Sequence, residues 1–249
     1  MQDKILVIVS KKIIPEIAGY YAKHFSGWNK IIVSPDSKGE FVCSIETVND
    51  NFYLRYDDVK SKLSGLRVGW YYQQFLKYSI VLNRPERYVL IVDGDSVLSD
   101  GIDFSCLYST MRTVPSSYRS FNKEMLGPDF GEEKRSFITN QMMFDSLILK
   151  DMIGQLGGSD TWIDKVVTIL KKNSNMHFSE YQMYAEYCLI RNNGKYKKLR
   201  VFRRFDCISE GMDAGLKKYN LLAYEYQHKT GLLRKLRAKV LYWLGRELG

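Results

Sequence analysis

The run Arg87-Tyr-Val-Leu-Ile-Val-Asp93 constrains the fold of this chain more than any other segment. It is apolar at almost every position, without the alternation of a half-exposed strand. A strand built from it must therefore be covered on both faces, as in a mostly parallel sheet with helices above and below. Where it ends, Asp93-Gly94-Asp95 places two carboxylates one residue apart. Ligands in open α/β sheets bind beyond the carboxyl ends of such strands. Gly94 leaves room for a ligand to approach closely, and Asp93 and Asp95 offer the hard oxygen donors that Mg²⁺ or Mn²⁺ prefers. An acidic turn closing a strand has the same composition, so the pair needs support from the rest of the chain.

That support begins with the order of elements. Ile5-Leu-Val-Ile-Val9 reads as a first buried strand, and Ile14 to Phe25 has helical spacing with Pro15 in its first turn. Asn29 to Ser34 reads as a second strand ended by Pro35-Asp36, and Val42 to Val48 as a third. A polar stretch follows, then a helix from about Leu66 to Asn83 and the strand ending at Asp93. Strands and helices alternating in this way predict an α/β fold with a mostly parallel central sheet. In the second half, Pro115 to Glu133 is rich in Ser, Gly, Pro and charge and is expected to be a long surface loop, a mobile lid. Phe137 to Phe144 is predicted as a strand, then 146–155, 160–172 and 179–191 as helices, and 198–205 and 221–226 as short strands.

The chain's 249 residues can bury one sizeable core. No stretch approaches the twenty or so apolar residues needed to span a bilayer, and the N-terminus lacks a secretory pattern, so a cytoplasmic location is expected. Cys43, Cys106, Cys188 and Cys207 are scattered without a Cys-x-x-Cys pair and are read as reduced thiols. The formal charge of +9 favours an acidic partner: a phosphorylated substrate, anionic lipid or nucleic acid. No nucleic-acid module accompanies it, so nucleic acid is not the expected partner. From Gly231 to the end, Leu232, Leu233, Leu236, Val240, Trp243 and Leu244 recur at helical spacing among Arg234, Lys235, Arg237, Lys239 and Arg246. This is a basic amphipathic helix, suited either to an anionic membrane interface or to docking on the protein's own core.

Three further groups carry chemistry. On the helix over 66–83, Trp70, Gln73, Gln74 and Lys77 share a face opposite the apolar stripe of Tyr71, Phe75, Tyr78 and Leu82. Those amides and the ammonium suit a phosphate or a sugar hydroxyl, or simply water. In Phe178-Ser-Glu-Tyr-Gln-Met-Tyr184, Ser179 caps a helix and Glu180 lies in its first turn, where the dipole favours the carboxylate. An ionised Glu180 facing a pocket would serve as a general base; one that only complements the helix terminus would not. His228, after a short apolar segment, is either a surface side chain or a further metal ligand.

The four segments Gly69-Trp-Tyr-Tyr-Gln-Gln-Phe-Leu-Lys77, Leu90-Ile-Val-Asp-Gly-Asp95, Phe178-Ser-Glu-Tyr-Gln-Met-Tyr184 and Tyr224 to His228, in that order, resemble bacterial glycosyltransferases of surface-polysaccharide (O-antigen or capsule) loci. The resemblance spans roughly residues 5–228. It implies a GT-A-like (Rossmann-like) fold over 1–228, with 229–249 as a membrane-associated tail. It also implies that the Asp-x-Asp pair binds Mn²⁺ or Mg²⁺ with the diphosphate of a nucleotide sugar. On this reading Ser10, Lys11 and Asp36 receive the nucleoside, and Trp70, Gln73, Gln74 and Lys77 line the donor side. Asp93 and Asp95 hold ribose and metal, with His228 as a further ligand. Thr139, Asn140 and Gln141 face the sugar or acceptor, and Glu180 and Asp95 are catalytic. The expected partners are a nucleotide-sugar donor, most simply a UDP-hexose, a lipid-linked glycan acceptor, and the anionic inner face of the cytoplasmic membrane. No acceptor signature follows the Asp pair.

Two other readings remain. Asp93-Gly-Asp-Ser-Val-Leu98 also fits the first motif of haloacid-dehalogenase-like phosphatases, although that motif normally begins the first strand and no later acidic pair accompanies it. A non-enzymatic basic membrane- or polysaccharide-binding protein would leave the Asp pair without a task.

Overall fold

The computed structural model describes residues 3–204, 212–224 and 240. Its centre is a six-stranded sheet. In chain order its strands are β1 (Lys4–Val9), β2 (Asn29–Ser34), β3 (Phe41–Val42), β4 (Ile45–Asn49), β5 (Tyr88–Asp93) and, after two short strands elsewhere, β8 (Gln141–Asp145), and their spatial order is β3-β4-β2-β1-β5-β8. The pairs β1–β2, β1–β5 and β2–β4 are parallel, while the edges β3–β4 and β5–β8 are antiparallel. The molecule thus has the mixed α/β architecture expected, with a mostly parallel sheet flanked by helices.

The unbroken apolar runs follow from having two cores. Ile5, Val7 and Val9 of β1, with Val89 and Ile91 of β5, enter one cluster, whereas Leu6 and Ile8, with Leu90 and Val92, enter the other. Successive side chains point to opposite faces, so a strand buried on both sides has no place for a polar residue. Each such Val, Leu or Ile contributes roughly 1.5–3 kcal/mol by leaving water. The second cluster is closed by helix α1 (Pro15–Lys23) and a small sheet of β10 (Val201–Arg204), β11 (Leu221–Tyr224) and β6 (Ser96–Leu98). Tyr20 and Tyr21 of α1 tie it to the chain just after the Asp pair. Tyr20 Oη donates to the Leu98 carbonyl at 2.8 Å, and Tyr21 Oη accepts from Leu98 N at 3.0 Å.

The first cluster is packed by α3 (Val68–Asn83), α5 (Ser146–Gln155), α6 (Trp162–Lys172) and α7 (Glu180–Arg191). Ser179 caps α7 as expected, accepting from Gln182 N. Helix α2 (Tyr56–Lys62) lies in the polar stretch before α3; β7 (Leu107–Ser109) pairs with β9 (Tyr196–Lys198), and a short α8 (Met212–Leu216) precedes β11. Among the described residues no helix is long and apolar enough to cross a membrane. His228 and, apart from Val240, the basic segment 229–249 lie outside the described residues.

Three expectations need correction. The anticipated lid over 115–133 contains helix α4 (Ser116–Leu126), ended by Gly127 at φ 111°. Its Phe121 is buried, with its ring centroid 5.5 Å from that of Phe178. The turn after it is pinned by the fully buried Glu186, which accepts from Asn122 Nδ2 at 2.6 Å and from Gly131 N at 2.5 Å. Pro and Gly at the ends of the segment obscured a helical stripe, and the carboxylate that anchors it is more than fifty residues away. The single strand expected over 42–48 is a tight hairpin, turned at Cys43 and Ser44 with φ of 51° and 68°. The later strand begins at Gln141 rather than Phe137, because Asn140 adopts φ 60° just before it.

Candidate functional site

Parallel strands deliver their carboxyl ends, and the loops leaving them, to one edge of the sheet. There the chain encloses a cavity of about 630 Å³. Its floor is Val9, Ser10 and Lys11 at the end of β1, with Pro35 after β2 and Asp50 and Asn51 after β4. Tyr56 and Asp57 of α2 form one wall, and Gly69, Trp70, Tyr72, Gln73 and Leu76 of α3 the other. Tyr56 and Tyr72 meet edge to face with centroids 5.0 Å apart, giving the cavity an aromatic corner.

The polar face of α3 is divided between two environments. Trp70 and Gln73 look into the cavity, while Gln74 and Lys77 are 4% and 5% exposed and turn toward α7. Lys77 Nζ lies 2.6 Å from Asp93 Oδ1 and 2.6 Å from Glu180 Oε1, and 4.3 Å from the Tyr181 ring centroid. Gln74, oriented so that its amide is satisfied, donates to the Phe178 carbonyl at 2.7 Å and to Glu180 Oε2 at 3.0 Å. Tyr78 Oη donates to the Glu180 carbonyl at 2.6 Å.

One ammonium therefore stands between two carboxylates, itself buried with Glu180 while Asp93 is partly exposed. Burial alone would lower the Lys77 pKa, but Asp93 and Glu180 override it and hold the ammonium well above its ordinary value. Burial raises the Glu180 pKa against the opposing pull of Lys77. Glu180 is 3% exposed and does not line the cavity; its carboxylate faces Lys77 and Gln74.

Asp93 is reached from three sides. Besides Lys77, Tyr181 Oη donates to Oδ1 at 3.0 Å and Asn140 Nδ2 to Oδ2 at 3.2 Å. The left-handed backbone of Asn140 makes this possible, since its carbonyl also accepts from Asp93 N at 2.9 Å. Of the three residues expected to face sugar or acceptor, Asn140 alone touches the Asp pair. Thr139 and Gln141 are 1% and 2% exposed, and the Thr139 hydroxyl donates to the Gln141 carbonyl at 2.6 Å.

Gly94 is needed for a reason other than the one the sequence offered. A Cβ there would sit 2.2 Å from Ser10 Cβ and 2.7 Å from Ser10 Cα, so the close approach is made by the end of β1. Gly94 N donates to the Val9 carbonyl at 2.8 Å, and Val9 is the register partner of Asp93. The cavity floor and the Asp pair are thus one strand apart. Asp95 is half-buried; Ser96 Oγ donates to its Oδ1 at 3.3 Å, and its carbonyl accepts from Tyr224 N at 2.7 Å at the end of β11.

The fit of this donor set to a divalent cation is limited. Among the described residues no three His, Cys, Asp or Glu side chains converge as metal ligands. The Asp93 oxygens are engaged by an ammonium, a phenol and an amide. An ion held chiefly by diphosphate oxygens needs no more than one or two protein carboxylates.

Of the residues expected to receive the nucleoside, Ser10 and Lys11 line the cavity, whereas Asp36 is exposed and its neighbour Pro35 lines it instead. Asp50, Asn51, Tyr56, Asp57 and Tyr72 were not anticipated. The usable signal was topological: Asn49-Asp50-Asn51 follows a parallel strand as Ser10 follows β1. Asp50 is 3% exposed, and its Oδ1 has no hydrogen-bond partner.

No family model matches the chain, and no curated protein matches it. Among solved structures it is similar to a crystal structure of the glycosyltransferase GlyE of Streptococcus pneumoniae TIGR4, with 14% identity and a TM-score of 0.42 over 99% of this chain and 61% of that one. The apo form of GlyE gives 13% identity and a TM-score of 0.38, over 99% of this chain and 60% of that one. The chain therefore spans about three-fifths of the length of the structures it matches.

Proposed function

We propose that this chain is a glycosyltransferase, moving a sugar from a nucleotide-sugar donor such as a UDP-hexose to a hydroxyl of a growing lipid-linked surface glycan. The observation that carries the reading is the position of the cavity. It opens at the carboxyl ends of β1, β2 and β4, one strand from the Asp pair that closes β5. A nucleoside seated there directs its diphosphate along Ser10 toward Asp95 and its sugar toward Asp93.

The residues then divide as follows. Trp70, Tyr56 and Gln73 bind and orient the nucleoside. Asp93, fixed by Lys77, Tyr181 and Asn140, presents its partly exposed carboxylate to a sugar hydroxyl. Glu180 enters as a positioning residue that fixes Lys77, in place of the general base expected from its site at the start of a helix. Asp95, with His228 as a further candidate, would hold the Mg²⁺ or Mn²⁺, which supplies positive charge for the leaving diphosphate. In the transfer itself the acceptor oxygen bonds to the anomeric carbon as the bond from that carbon to the diphosphate breaks, and the hydroxyl proton leaves with the departing diphosphate.

The phosphatase reading would need Asp93 as a nucleophile. Three donors already hold its oxygens, which opposes attack on phosphorus. The deciding experiment is binding and hydrolysis of a panel of nucleotide sugars with Mn²⁺, with EDTA, and with Asp95→Asn. Metal-dependent turnover of one donor, lost in the variant, is expected; release of phosphate from phosphomonoesters with no donor bound would favour the phosphatase instead.

The basic segment after Gly231 is proposed to keep the domain beside a lipid-linked acceptor at an anionic membrane face. Deleting 231–249 is expected to abolish co-sedimentation with anionic vesicles while sparing transfer to a soluble acceptor analogue. Equal sedimentation of the shortened chain would reject the idea.

A further inference from the structure

Arg67, just before α3, recurs with Tyr71 and Gln74 at i, i+4 and i+7, so the three share one face. Gln74 is used on Glu180 and the Phe178 carbonyl. The other two are not used in this way. The Arg67 guanidinium is exposed, and among the described residues no carboxylate pairs with it; its Cζ lies 5.0 Å from the Trp70 ring centroid instead. Tyr71 is 3% exposed, yet among the described residues its hydroxyl has no hydrogen-bond partner, and its oxygen is not sealed from solvent. A buried hydroxyl normally finds a partner. A third donor comes from α4. The hydroxyl of Tyr118 likewise has no partner among the described residues, and its ring centroid lies 5.6 Å from that of His177. His177 N donates to the Ser117 carbonyl at 3.3 Å, which ties the start of α4 to the approach of α7.

These three groups lie within one another's fields. Burial raises the Tyr71 pKa to about 12, with Tyr118 adding to the rise and Arg67 opposing it. Burial also raises that of Tyr118, with Glu180 adding and Arg67 opposing. The Glu180 carboxylate is itself paired with Lys77, which reaches Asp93. The cluster therefore stands beside the Asp93 network and outside the cavity, since Trp70 lines the cavity and carries Arg67 on its ring. A guanidinium offers a planar fork of donors and no acceptor, and each phenol adds an O–H. A carboxylate or phosphate matches that set, because it accepts from several donors at once and gains most from a charged one. A neutral sugar hydroxyl would use only part of it.

We propose that Arg67, Tyr71 and Tyr118 form an anion subsite for the acceptor, taking a carboxylate or phosphate that the acceptor glycan carries near the hydroxyl to be glycosylated. The inference rests on the glycosyltransferase reading given above and adds to it the chemical class of the acceptor. In that reading the donor fills the cavity and runs along Ser10, so the anion at Arg67 belongs to the other substrate.

The experiment is NMR titration of the full chain with methyl glucuronide, glucose 1-phosphate and the neutral methyl glucoside, each with and without saturating nucleotide. Binding of UDP, GDP, CDP and ADP is measured in parallel by calorimetry. The wild-type chain is expected to bind at least one of the anionic sugars about tenfold or more tightly than the glucoside, whether or not nucleotide is bound. A preference for the glucuronide identifies a sugar carboxylate as the acceptor's anion, and a preference for the 1-phosphate identifies a phosphate. Arg67→Gln should remove the preference and Tyr118→Phe should reduce it about threefold to tenfold, while nucleotide affinity changes by less than about twofold. Equal affinity for charged and neutral sugars overturns the proposal. So does displacement of the anionic sugar by nucleotide, or an Arg67→Gln chain that loses nucleotide as steeply as anionic sugar. The guanidinium would then serve the donor's diphosphate. In all three cases nucleotide binding by the wild type survives and the glycosyltransferase reading stands, whereas binding of none of the four nucleotides overturns both. The wild-type comparison decides the matter even if a variant folds poorly.

Discussion

Helix α3 has two polar neighbourhoods, and they are built on opposite principles. On the side facing α7, Lys77, Asp93, Glu180 and Gln74 spend their polar atoms on one another. On the cavity side Tyr56, Gln73 and Trp70 face open space. A network satisfied within the protein holds geometry and has little left for a ligand. A wall of aromatic and amide side chains facing open space keeps its surface for a ligand. The comparison assigns structural work to the first region, apart from the partly exposed face of Asp93, and recognition to the second.

The most severe way to break it is Lys77→Met. Two carboxylates would lose the cation that joins them, in a site where the lysine side chain is 7% exposed. Removing one partner of a buried ion pair typically costs about 3–5 kcal/mol, so the urea midpoint should fall steeply. Glu180→Gln in the same chain should recover part of the loss. An unchanged midpoint in the single variant would erase the distinction between the regions.

Gly94→Ala tests the junction between them. The added methyl meets Ser10 at 2.2 Å, and overpacking of this kind costs about 1–3 kcal/mol or more. Ser10→Gly should relieve it only in part, because Ser10 Cα itself would lie 2.7 Å away. Full rescue would mean that the backbone there yields more readily than the geometry implies.

Asp50 gives a smaller effect of the opposite sign. Its pKa is raised in the folded chain, so the unfolded chain ionises first as pH rises. Below the ordinary carboxylate range wild type and Asp50→Asn should unfold alike. Above it the wild type should become the less stable of the two, by at most about 1 kcal/mol. Thermal unfolding from pH 3 to pH 7 would show the gap, and a variant less stable at neutral pH would mean that the hydrogen bonds from Tyr72 and Asn51 outweigh the cost of burying the carboxylate.

Gln73→Ala should be gentlest on the fold. The side chain is half-buried on the cavity wall, so stability should change by no more than about 0.5 kcal/mol. Nucleotide affinity should nonetheless fall about threefold to tenfold. A loss of stability without a loss of affinity would move Gln73 to the structural side of the comparison.

Much of this plan was legible in the residues. The unbroken runs ending at Val9 and Asp93 predicted a sheet covered on both faces, because only a doubly buried strand omits polar residues. The period of α3 placed Trp70, Gln73, Gln74 and Lys77 together, and they do share a face. What the period could not reveal is that the face is split, since that depends on where α7 arrives more than a hundred residues later. The same distance hid Glu186, which pins the segment that composition presented as a lid. Asp50 was missed because nothing local distinguishes a buried carboxylate at a cavity from an ordinary turn residue.

The sequence by itself thus determined the layers of the fold, the helical faces and the position of the Asp pair at a strand end. Each of these follows from local periodicity and from the exclusion of polar groups from a doubly covered strand. Only the tertiary structure decided that Gly94 makes room for Ser10, that Lys77 joins Asp93 to Glu180, and that Asp50 is buried beside the cavity. Those facts depend on which distant segments meet, and a carboxylate's role is set by the donors around it rather than by its neighbours in the chain.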